Sequence, residues 1–578
     1  MVDILFQNAR VVDGSGNPWY TADVAIAAGK IAAIDRRLPR RAARVIEASG
    51  LVVAPGFIDL HTHSDEALLR HHKASSSLLA GVTTEAVGNC GGAVYGFSPA
   101  YKARLQRRLG DLEVDWSDLQ GYREKLRRLG IGINVAPFVG HGTLRTSIMG
   151  PEGQGGEKIL PSPAELEGMT GLLKAAMGQG AFGLTTGLWY PPGRNAVTSE
   201  IVALCRVVAT YGGCYMSHIR GEADVLIESV REFIAICEAV PIRGSISHHK
   251  AMGPQNWGKP RETTRLLAQA RQRGVEVMCD QYPWNYSSAA NLGRWFISGM
   301  GRNPGIEGHY TPATMDLDTF LTDLRDPALW ARMKREAQER YDVDAAANEA
   351  RRRAMERYHV IPSEVVNPRS FEYITSSRTH PELVGKRFFE VADALGFDDF
   401  WDAIRRVLLD DGGHTYTGGG GMGDDDLVTI LRCPFCAVST DGSTRDTPST
   451  PLRPAHPRNY GSYAKVLQRY VREDRVLTLE DAVRKMTSLP ATFLGLQRRG
   501  FLYPGNWADL TVFDPEAIAN TATFAQPDRS PIGIHYVLVN GVIAAENGTR
   551  TDALAGQVLL HAPSSSKGDP SLPSSRAT

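Results

Sequence analysis

The stretch VVAPGFIDLHTHSD, residues 52–65, is an apolar run that ends in two histidines, His61 and His63, one residue apart. The run has the composition of a buried strand, and on a strand the side chains at positions i and i+2 point to the same side. The two imidazoles therefore leave the strand end toward one point, an arrangement that suits a cation. The alternative is a pair of core histidines, each satisfied by backbone carbonyls.

The chain as a whole has the composition of a folded globular protein. It has 578 residues, 64 basic and 64 acidic side chains and 42% hydrophobic residues. The balanced charge gives no reason to expect a nucleic-acid or membrane partner, and no apolar run approaches the roughly 18–20 residues of a membrane helix. The N-terminus carries no secretory pattern, and the seven scattered cysteines fit reduced thiols. We expect a soluble cytoplasmic protein, and the sequence leaves its oligomeric state open.

Both ends of the chain are rich in β-forming residues. Residues 1–54 contain short β-rich runs separated by turns. The other end has the same β-rich composition in ADLTVFDP and IHYVLVNGVIAAENG. The Asn-Gly pair of the second stretch predicts a hairpin. We therefore predict one small β-sandwich domain assembled from residues 1–54 and 496–560. Residues 561–578 are too poor in apolar side chains to fold alone and are predicted to be disordered.

The middle of the chain alternates short apolar runs with helical stretches, which is typical of an α/β fold built from βα units. Eight such runs close a (β/α)8 barrel of the TIM type. They end near His63, Cys90, His141, Thr186, His218, His248, Tyr282 and Asp441. We predict that residues 55–285 and 371–495 form the barrel. Residues 286–370, between strands seven and eight, predict a helical insertion, either a solvated surface excursion or a lid.

The predicted strand ends carry side chains that bind metals. Imidazole, thiolate and carboxylate are all zinc ligands, and the active-site groups of a parallel barrel lie at the carboxyl ends of its strands. The candidates are His61, His63, Cys90, His218, His248 and Asp441. So many metal-binding groups on one rim are hard to explain as structural residues, and together they predict a metal centre.

The order of these motifs resembles the amidohydrolase superfamily and, within it, the D-aminoacylase family. The matching stretches include GFIDLHTHSD, GVTTEAVGNCG, GLTTGLWYPPG, SHIRGE, SHHKAMG, DQYPWNYSS, STDGS, HPRNYGSYAKVL, MTSLPATFLGL and PGNWADLTVFDP. Most members of the superfamily use a carboxylated lysine from the fourth strand as the bridging metal ligand. Here the fourth strand reads AFGLTTGLWY and has no lysine, whereas Cys90 within VGNCGG is the mark of the D-aminoacylase branch.

The resemblance implies a zinc centre with two positions. The ligands of the tightly held zinc are Cys90, His218 and His248. A second, weaker position is formed by His61 and His63 and shares Cys90 and Asp441. Three protein ligands leave zinc an open position for water, which is the pattern of a catalytic site.

The implied activity is zinc-dependent hydrolysis of the amide bond of an N-acyl-D-amino acid, which yields a carboxylate and a free D-amino acid. The metal lowers the pKa of water and polarises the scissile carbonyl. We expect Asp441 to take the water's proton and to return it to the departing amine. The alternative role of Asp441 is a helix N-cap beside Gly442 and Ser443. The preference for the D enantiomer rests on the resemblance alone.

The resemblance also implies tyrosines, a lysine and an arginine that bind the small-molecule substrate. The matching residues are Tyr190, Lys250, Tyr282 and Arg378. Arginine can hold a carboxylate through two parallel hydrogen bonds. Arg378 lies in a weakly matching stretch, SSRTHPELVGK, where an ordinary surface arginine is the alternative.

Two other functions stay open on the sequence. A cyclic amidohydrolase of the hydantoinase or dihydropyrimidinase type would apply the same chemistry to a cyclic amide, but such relatives usually carry the bridging lysine. A metal-free barrel that serves as a scaffold would have no use for the metal and base residues. Metal content separates the scaffold from the enzymes, and a linear against a cyclic substrate separates the two enzymes.

Three further features are predicted to be structural. The CPFC motif, with Cys433 and Cys436, has the spacing of half a zinc site, but no second pair follows, so buried thiols are expected. The GGGG run at Gly418 lacks the Lys-Ser/Thr continuation of a phosphate loop and predicts a flexible loop. His249 alternates to the other side of the strand from His248.

Overall fold

A closed barrel of parallel strands forms the centre of the computed structural model, which describes residues 2–155, 159–293, 317–335, 338, 372–449 and 454–562. The barrel strands, numbered one to eight here, are Phe57–Asp59, Val82–Val87, Asn134–Pro137 with Val139–Gly140, Gly183–Gly187, Cys214–His218, Arg243–Ile246, Val277–Gln281 and Cys436–Val438. All neighbouring pairs are parallel, and a parallel bridge between Thr62 and Gly442 joins strands one and eight. The barrel predicted from the alternating pattern is confirmed.

Side chains rather than solvent fill the barrel. Phe138, Phe182, Met216 and Met278 are all at most 4% exposed and belong to one apolar cluster inside it. Each such side chain contributes roughly 1.5–3 kcal/mol when it is fully buried. A rigid core of this kind fixes the positions of the strand ends, where the candidate site residues lie.

Helices connect the strands and pack against the outside of the barrel. Those of the barrel region are Ser64–Ala67, Ser75–Leu79, Pro99–Leu109, Leu119–Leu129, His141–Gly155, Pro163–Gly178, Thr198–Thr210, Leu226–Ala239, Pro260–Gln272, Asp424–Arg432, Arg458–Lys465, Leu479–Met486 and Ser488–Leu494, with a π-helical segment at Val466–Glu473. Ser162 and Glu165 form a capping box at the start of Pro163–Gly178. Among the described residues, no helix has the length and apolar character that crossing a membrane requires.

The two ends of the chain meet in one nine-stranded sheet. Its strands are Val2–Val11, Tyr20–Ala27, Lys30–Asp35, Ala42–Glu47, Val52–Pro55, Leu510–Phe513, Ile534–Val539, Val542–Glu546 and Thr549–Arg550. Val52–Pro55 pairs antiparallel with Leu510–Phe513 and so joins the two ends. The predicted Asn-Gly hairpin is present, with positive φ at Asn540 (51°) and Gly541 (82°). The predicted disordered tail lies outside the described residues from residue 563 onward.

The segment between barrel strands seven and eight has its own sheet and its own apolar core. Its strands are Ala290–Asn291, Glu372–Ser376 and Tyr416–Gly419, and its helices include Leu317–Arg325, Phe388–Leu395 and Phe400–Asp410. The apolar core includes Phe320, Trp330, Phe388, Trp401 and Leu408. Residues 372–419, which the sequence pattern assigns to the barrel, therefore pack with the insertion. Residues 294–316, 336–337 and 339–370 of the predicted insertion, and residue 371, lie outside the described residues.

The first half of the glycine run at Gly418 lies in a strand, so the prediction of a flexible loop is wrong for Gly418 and Gly419. Tyr416–Gly419 is the central strand of the three-stranded sheet, paired antiparallel with strands on both sides. A Cβ at Gly418 would lie 2.8 Å from the carbonyl oxygen of Ser288, so the close approach of the backbone explains the glycine.

Candidate metal centre

The predicted metal ligands come together at the carboxyl ends of the barrel strands. Three groups of three residues overlap there, and within each group the ligand atoms lie within 4.8 Å of one another. They are His61 with His63 and Cys90, Cys90 with His218 and His248, and His61 with His248 and Asp441. The two histidines of the opening stretch therefore do point to one place, as the strand period predicts.

Cys90 lies at the middle of the first two groups. Its Sγ atom is 3.3 Å from Nε2 of His61, 3.7 Å from Nδ1 of His218 and 3.4 Å from Nε2 of His248. A tetrahedral zinc ion with Zn–S of about 2.3 Å and Zn–N of about 2.0–2.1 Å separates sulfur and nitrogen by roughly 3.5 Å. The spacing and the donor atoms of Cys90, His218 and His248 thus fit zinc.

Asp441 faces His61 and His63. Its Oδ1 atom is 3.1 Å from Nε2 of His63 and 3.5 Å from Nε2 of His61. The His61 side chain is fully buried, whereas that of His63 is 41% exposed. The group that contains His63 is therefore more open to solvent than the group of Cys90, His218 and His248.

The backbone at three of these strand ends is strained. Cys90, His248 and Asp441 have positive φ angles of 52°, 37° and 49°, which are uncommon for residues other than glycine. Such conformations cost roughly 1–3 kcal/mol each and persist where the surrounding structure holds them. Here they turn the side chains out of the strand direction and toward the common centre.

The cluster keeps the thiol of Cys90 in the form that binds metals. Burial alone would raise the pKa of Cys90, but the charges of His61 and His248, together with hydrogen bonds from His218 and His248, hold this pKa well below its usual value. A thiolate, not a thiol, is the metal ligand. The electrostatics therefore agree with the distances.

Two buried carboxylates contact the ring nitrogens of His248 and His61 that face away from Cys90. Glu222 Oε1 is 3.0 Å from Nδ1 of His248 and 2.7 Å from Nζ of Lys250. Asp280 Oδ2 is 3.6 Å from Nδ1 of His61. A carboxylate behind a metal-binding histidine fixes the orientation and tautomer of the ring. The sequence analysis did not assign Glu222, although it lies four residues after His218 in the SHIRGE motif.

Three of the four predicted substrate ligands lie at the centre. The Tyr190 hydroxyl donates to the carbonyl oxygen of Cys90 at 2.8 Å. Lys250 is buried beside Glu222, and its Nζ lies 5.5 Å from the ring centre of Tyr282. The buried Tyr282 hydroxyl has no hydrogen-bond partner among the described residues.

Arg378 is placed differently from the other three. Its side chain is 68% exposed, its Nε atom lies 3.9 Å from Oδ1 of Asp411, and its backbone N–H donates to the same carboxylate. Among the described residues no hydrogen bond or ion pair links Arg378 to the histidines of the rim. The structure therefore does not bring it into the cluster.

A second arginine, which the sequence analysis did not single out, does contact the centre. Nη1 of Arg458 lies 2.8 Å from Oδ2 of Asp441. Arg458 belongs to the HPRNYG stretch, and it begins the helix Arg458–Lys465. The stretch itself carries the resemblance, but the sequence alone does not reveal that its arginine reaches Asp441.

A cavity of about 400 Å³ adjoins the centre on the side of barrel strands two to four. Its lining includes Cys90, Gly91, Gly142, Gly187 and Tyr190. In an eight-stranded barrel these strands lie opposite strands six to eight, which carry Lys250, Tyr282 and Asp441. The metal-binding cluster thus separates a cavity from a group of polar side chains.

The features predicted to be structural lie away from the cluster. Cys433 and Cys436 are 7% and 0% exposed, as expected of buried thiols. Nε2 of His249 is 2.7 Å from the hydroxyl of Thr263, on the outer side of the barrel strand. Both predictions are confirmed.

Residues 44–545 match the model of the amidohydrolase family, and the chain belongs to this family. It is 32% identical over 561 residues to the D-aminoacylase of Alcaligenes xylosoxydans xylosoxydans, covering 96% of this chain and 97% of that protein. It is 34% identical over 543 residues to the N-acyl-D-glutamate deacylase of the same organism, covering 93% of each.

A solved structure gives the same result. The N-acyl-D-glutamate deacylase of Bordetella bronchiseptica, in complex with zinc and a phosphonate mimic of the tetrahedral intermediate, matches with a TM-score of 0.71 at 33% identity. The match covers 97% of this chain and 99% of that chain. The family resemblance inferred from the motifs is confirmed.

Proposed function

We propose that this protein hydrolyses the amide bond of N-acyl-D-amino acids and releases a carboxylate and a free D-amino acid. The observation that carries the proposal is the position of Cys90, whose Sγ lies within 3.7 Å of three histidines. Barrel strand four, with the sequence GLTTG, offers no lysine as a bridging ligand. Relatives that are about a third identical over nearly the whole chain are a D-aminoacylase and an N-acyl-D-glutamate deacylase.

The tightly held zinc is assigned to Cys90, His218 and His248, whose spacing supports a tetrahedral site with one open position. When bound there, zinc supplies a water of lowered pKa and polarises the scissile carbonyl. The carboxylate of Glu222 orients His248 for this role. A second, weaker position is assigned to His61 and His63, sharing Cys90 and Asp441.

Asp441 is proposed as the general base and acid. The neighbouring Arg458 and the histidines outweigh the effect of burial and hold the pKa of Asp441 well below its usual value, so it is a carboxylate at neutral pH. Its Oδ1 atom faces the histidines, where it can accept the proton of the attacking water. The same atom then holds that proton until the leaving amine nitrogen takes it.

The substrate carboxylate is assigned to the side of barrel strands six and seven. The buried Tyr282 hydroxyl has no hydrogen-bond partner in the described part of the chain, and a substrate carboxylate could supply one. Lys250 adds a nearby positive charge, although Glu222 already neutralises part of it. Tyr190 is proposed to contact the substrate on the other side of the centre, and Arg378 to approach it from the insertion.

The acyl group is assigned to the cavity beside Cys90 and Tyr190. A linear amide that is held by its carboxylate near Tyr282 and has its carbonyl at the metal centre extends its acyl chain toward barrel strands two to four. The cavity there has a volume of about 400 Å³, more than an acetyl group fills. We therefore expect acyl groups longer than acetyl to be accepted.

The division of the chain that accompanies this function is also a proposal. A β-sandwich domain built from residues 1–54 and 496–560 is supported by the nine-stranded sheet and by its separate apolar cluster around Phe6, Val24 and Leu510. This domain is connected directly to the barrel, because its strand Val52–Pro55 is followed by the first barrel strand, Phe57–Asp59.

The experiment is a release assay for free amine with N-acetyl-D-methionine, N-acetyl-D-glutamate and their L enantiomers. The protein is assayed as purified, after chelation, and after addition of one equivalent of zinc. We expect only D substrates to be cleaved, activity to vanish on chelation, and zinc to restore it.

The alternatives give different results in the same assay. Cleavage of a hydantoin or dihydrouracil, with none of the linear amides, would contradict the proposal in favour of a cyclic amidohydrolase. A protein that retains no zinc and cleaves neither class of amide would be the scaffold.

A further inference from the structure

One wall of the cavity beside Cys90 is a helix face that carries two arginines. The helix Pro99–Leu109 begins at Ser98, whose side chain caps it, and it is held from within by Leu105 and Leu109, each 2% exposed. Residues three or four positions apart share one face of a helix. The residues of this face that line the cavity are Tyr101, Arg104, Leu105 and Arg108.

The positive charge of this wall is only partly neutralised. The side chain of Arg104 is exposed, and its guanidinium has no hydrogen bond or ion pair with a described residue. Nη2 of Arg108 lies 2.6 Å from Oε2 of Glu66, but both side chains are about half exposed, and such ion pairs contribute little. Like charges four positions apart repel each other on a helix, so an anion between the two arginines is favoured.

The rest of the cavity offers space and no competing negative charge. None of the side chains that line it is acidic, and Gly91, Gly142 and Gly187 contribute only backbone. Its volume of about 400 Å³ is in the range of small-molecule pockets. Because Cys90 and Arg104 line the same cavity, an acyl chain that begins at the metal centre can reach the arginine without leaving it.

We propose that the preferred substrate carries a second carboxylate at the far end of its acyl group, as in an N-succinyl-D-amino acid, and that Arg104 and Arg108 bind this carboxylate. A guanidinium and a carboxylate form charge-assisted hydrogen bonds. Hydrolysis then releases a dicarboxylate and a free D-amino acid. An α-aminoacyl group, as in a dipeptide, brings an ammonium toward the same arginines and is disfavoured. This inference rests on the proposed function and names its acyl donor.

The first test compares acyl groups of equal size and different charge in the zinc-loaded protein. The substrates are N-succinyl-D-methionine and its terminal amide, N-(3-carbamoylpropanoyl)-D-methionine, with N-acetyl-D-methionine as the reference. We expect kcat/KM to be at least about tenfold higher for the succinyl substrate than for its amide, because only the carboxylate forms charge-assisted hydrogen bonds. This preference should shrink as salt is added. Equal values for the two substrates overturn the inference.

The second test assigns the preference to the arginines. In Arg104→Met the ratio of the two kcat/KM values should fall at least about fivefold, and Arg104→Lys should keep more of the preference because it keeps the charge. The ratio is measured within one preparation, so it does not depend on the folded fraction. Arg107→Met is the control, since Arg107 lies on the same helix and does not line the cavity. A ratio unchanged in Arg104→Met and in the double variant with Arg108→Met overturns the assignment, as does an equal fall in the control.

A further substrate decides which end of the amide the arginines bind. N-acetyl-D-glutamate carries its extra carboxylate on the amino acid and not on the acyl group. If Arg104→Met lowers kcat/KM for this substrate and leaves the succinyl preference intact, Arg104 binds the amino-acid side chain and the inference is wrong. Cleavage of N-acetyl-D-methionine with no succinyl preference refutes this inference alone, whereas no cleavage of any of these amides refutes the proposed function as well.

Discussion

The two ends of the barrel strands both carry cysteines, but among the described residues only the carboxyl end has groups of side chains that could hold a metal ion. At the carboxyl ends Cys90 has three histidine nitrogens within 3.7 Å. Toward the amino ends Cys433 and Cys436 have the chain spacing of zinc ligands, yet no metal-sized group among the described residues includes them. A cysteine can therefore become a metal ligand where residues from different strands meet at one rim. The spacing of two cysteines along one segment is not sufficient.

Cys90 also differs in its ionisation from Cys214, a buried thiol at the amino end. The charges of His61 and His248 overcome burial and hold the pKa of Cys90 well below its usual value. At the opposite end of strand five, burial raises the pKa of Cys214 to about 12. A thiolate binds zinc and a thiol does not, so the rim around Cys90 is the reactive end. The amino end, where no group of described residues could hold a metal ion, is called the inert end.

Replacement of the central thiol is expected to have the largest effect. Cys90→Ala should lose the tightly held zinc and lower kcat/KM by roughly 10²–10⁴-fold, since a catalytic metal supplies several kcal/mol of transition-state stabilisation. Zinc content by atomic absorption and amine release check both. Cys214→Ala is the matched control from the inert end, and it should retain zinc. A Cys90→Ala variant that keeps zinc and activity would contradict the proposed difference in metal binding between the two ends of the barrel.

Asp441 lies at the reactive end, and we propose that it is not a ligand of the tightly held zinc. Asp441→Asn should lower kcat by about 10²–10⁴-fold, because the amide cannot take a proton, while the first equivalent of zinc stays bound. Steady-state kinetics and metal analysis on the same preparation test this. Loss of the first zinc in Asp441→Asn would show that the ligand assignment is wrong.

A smaller effect is expected from the carboxylate behind the ligands. Glu222→Gln should weaken binding of the first zinc by about 10–100-fold, because the ring of His248 loses its charged acceptor. The control is Glu262→Gln, which removes an exposed partner of Arg231. Competition with a chelator measures both variants, and equal affinities for the two would contradict the role of Glu222.

The inert end is expected to matter only for stability. Cys436→Ala removes a fully buried sulfur and should cost about 1 kcal/mol of unfolding free energy through the small cavity it leaves. Zinc content and kcat should not change. Urea denaturation measures the first effect, and a loss of zinc in this variant would mean that the CPFC motif binds metal after all.

Much of the centre follows from local rules. Alternation along a strand predicts that His61 and His63 point to one place, and the position of active sites at strand ends predicts that Cys90, His218 and His248 join them. These rules depend only on where each strand ends, which an apolar run followed by polar residues shows clearly.

The remaining features depend on long-range packing and could not be predicted in this way. Arg458 reaches Asp441 because a helix after the last barrel strand begins beside it, and the sequence does not show which residue of HPRNYG faces inward. Tyr416–Gly419 is a strand because it pairs with Glu372–Ser376, about forty residues earlier in the chain, and with Ala290–Asn291. Glycine and tyrosine composition gives no sign of these partners.

The central claim is that Cys90 is a ligand of the catalytic zinc, and X-ray absorption at the zinc edge tests it most directly. The protein is loaded with one equivalent of zinc, and the shell of scattering atoms is measured for the wild type and for Cys90→Ala. We predict one sulfur at about 2.3 Å with nitrogen or oxygen atoms at about 2.0–2.1 Å in the wild type, and no sulfur in the variant. A wild-type spectrum with nitrogen and oxygen alone would contradict the account.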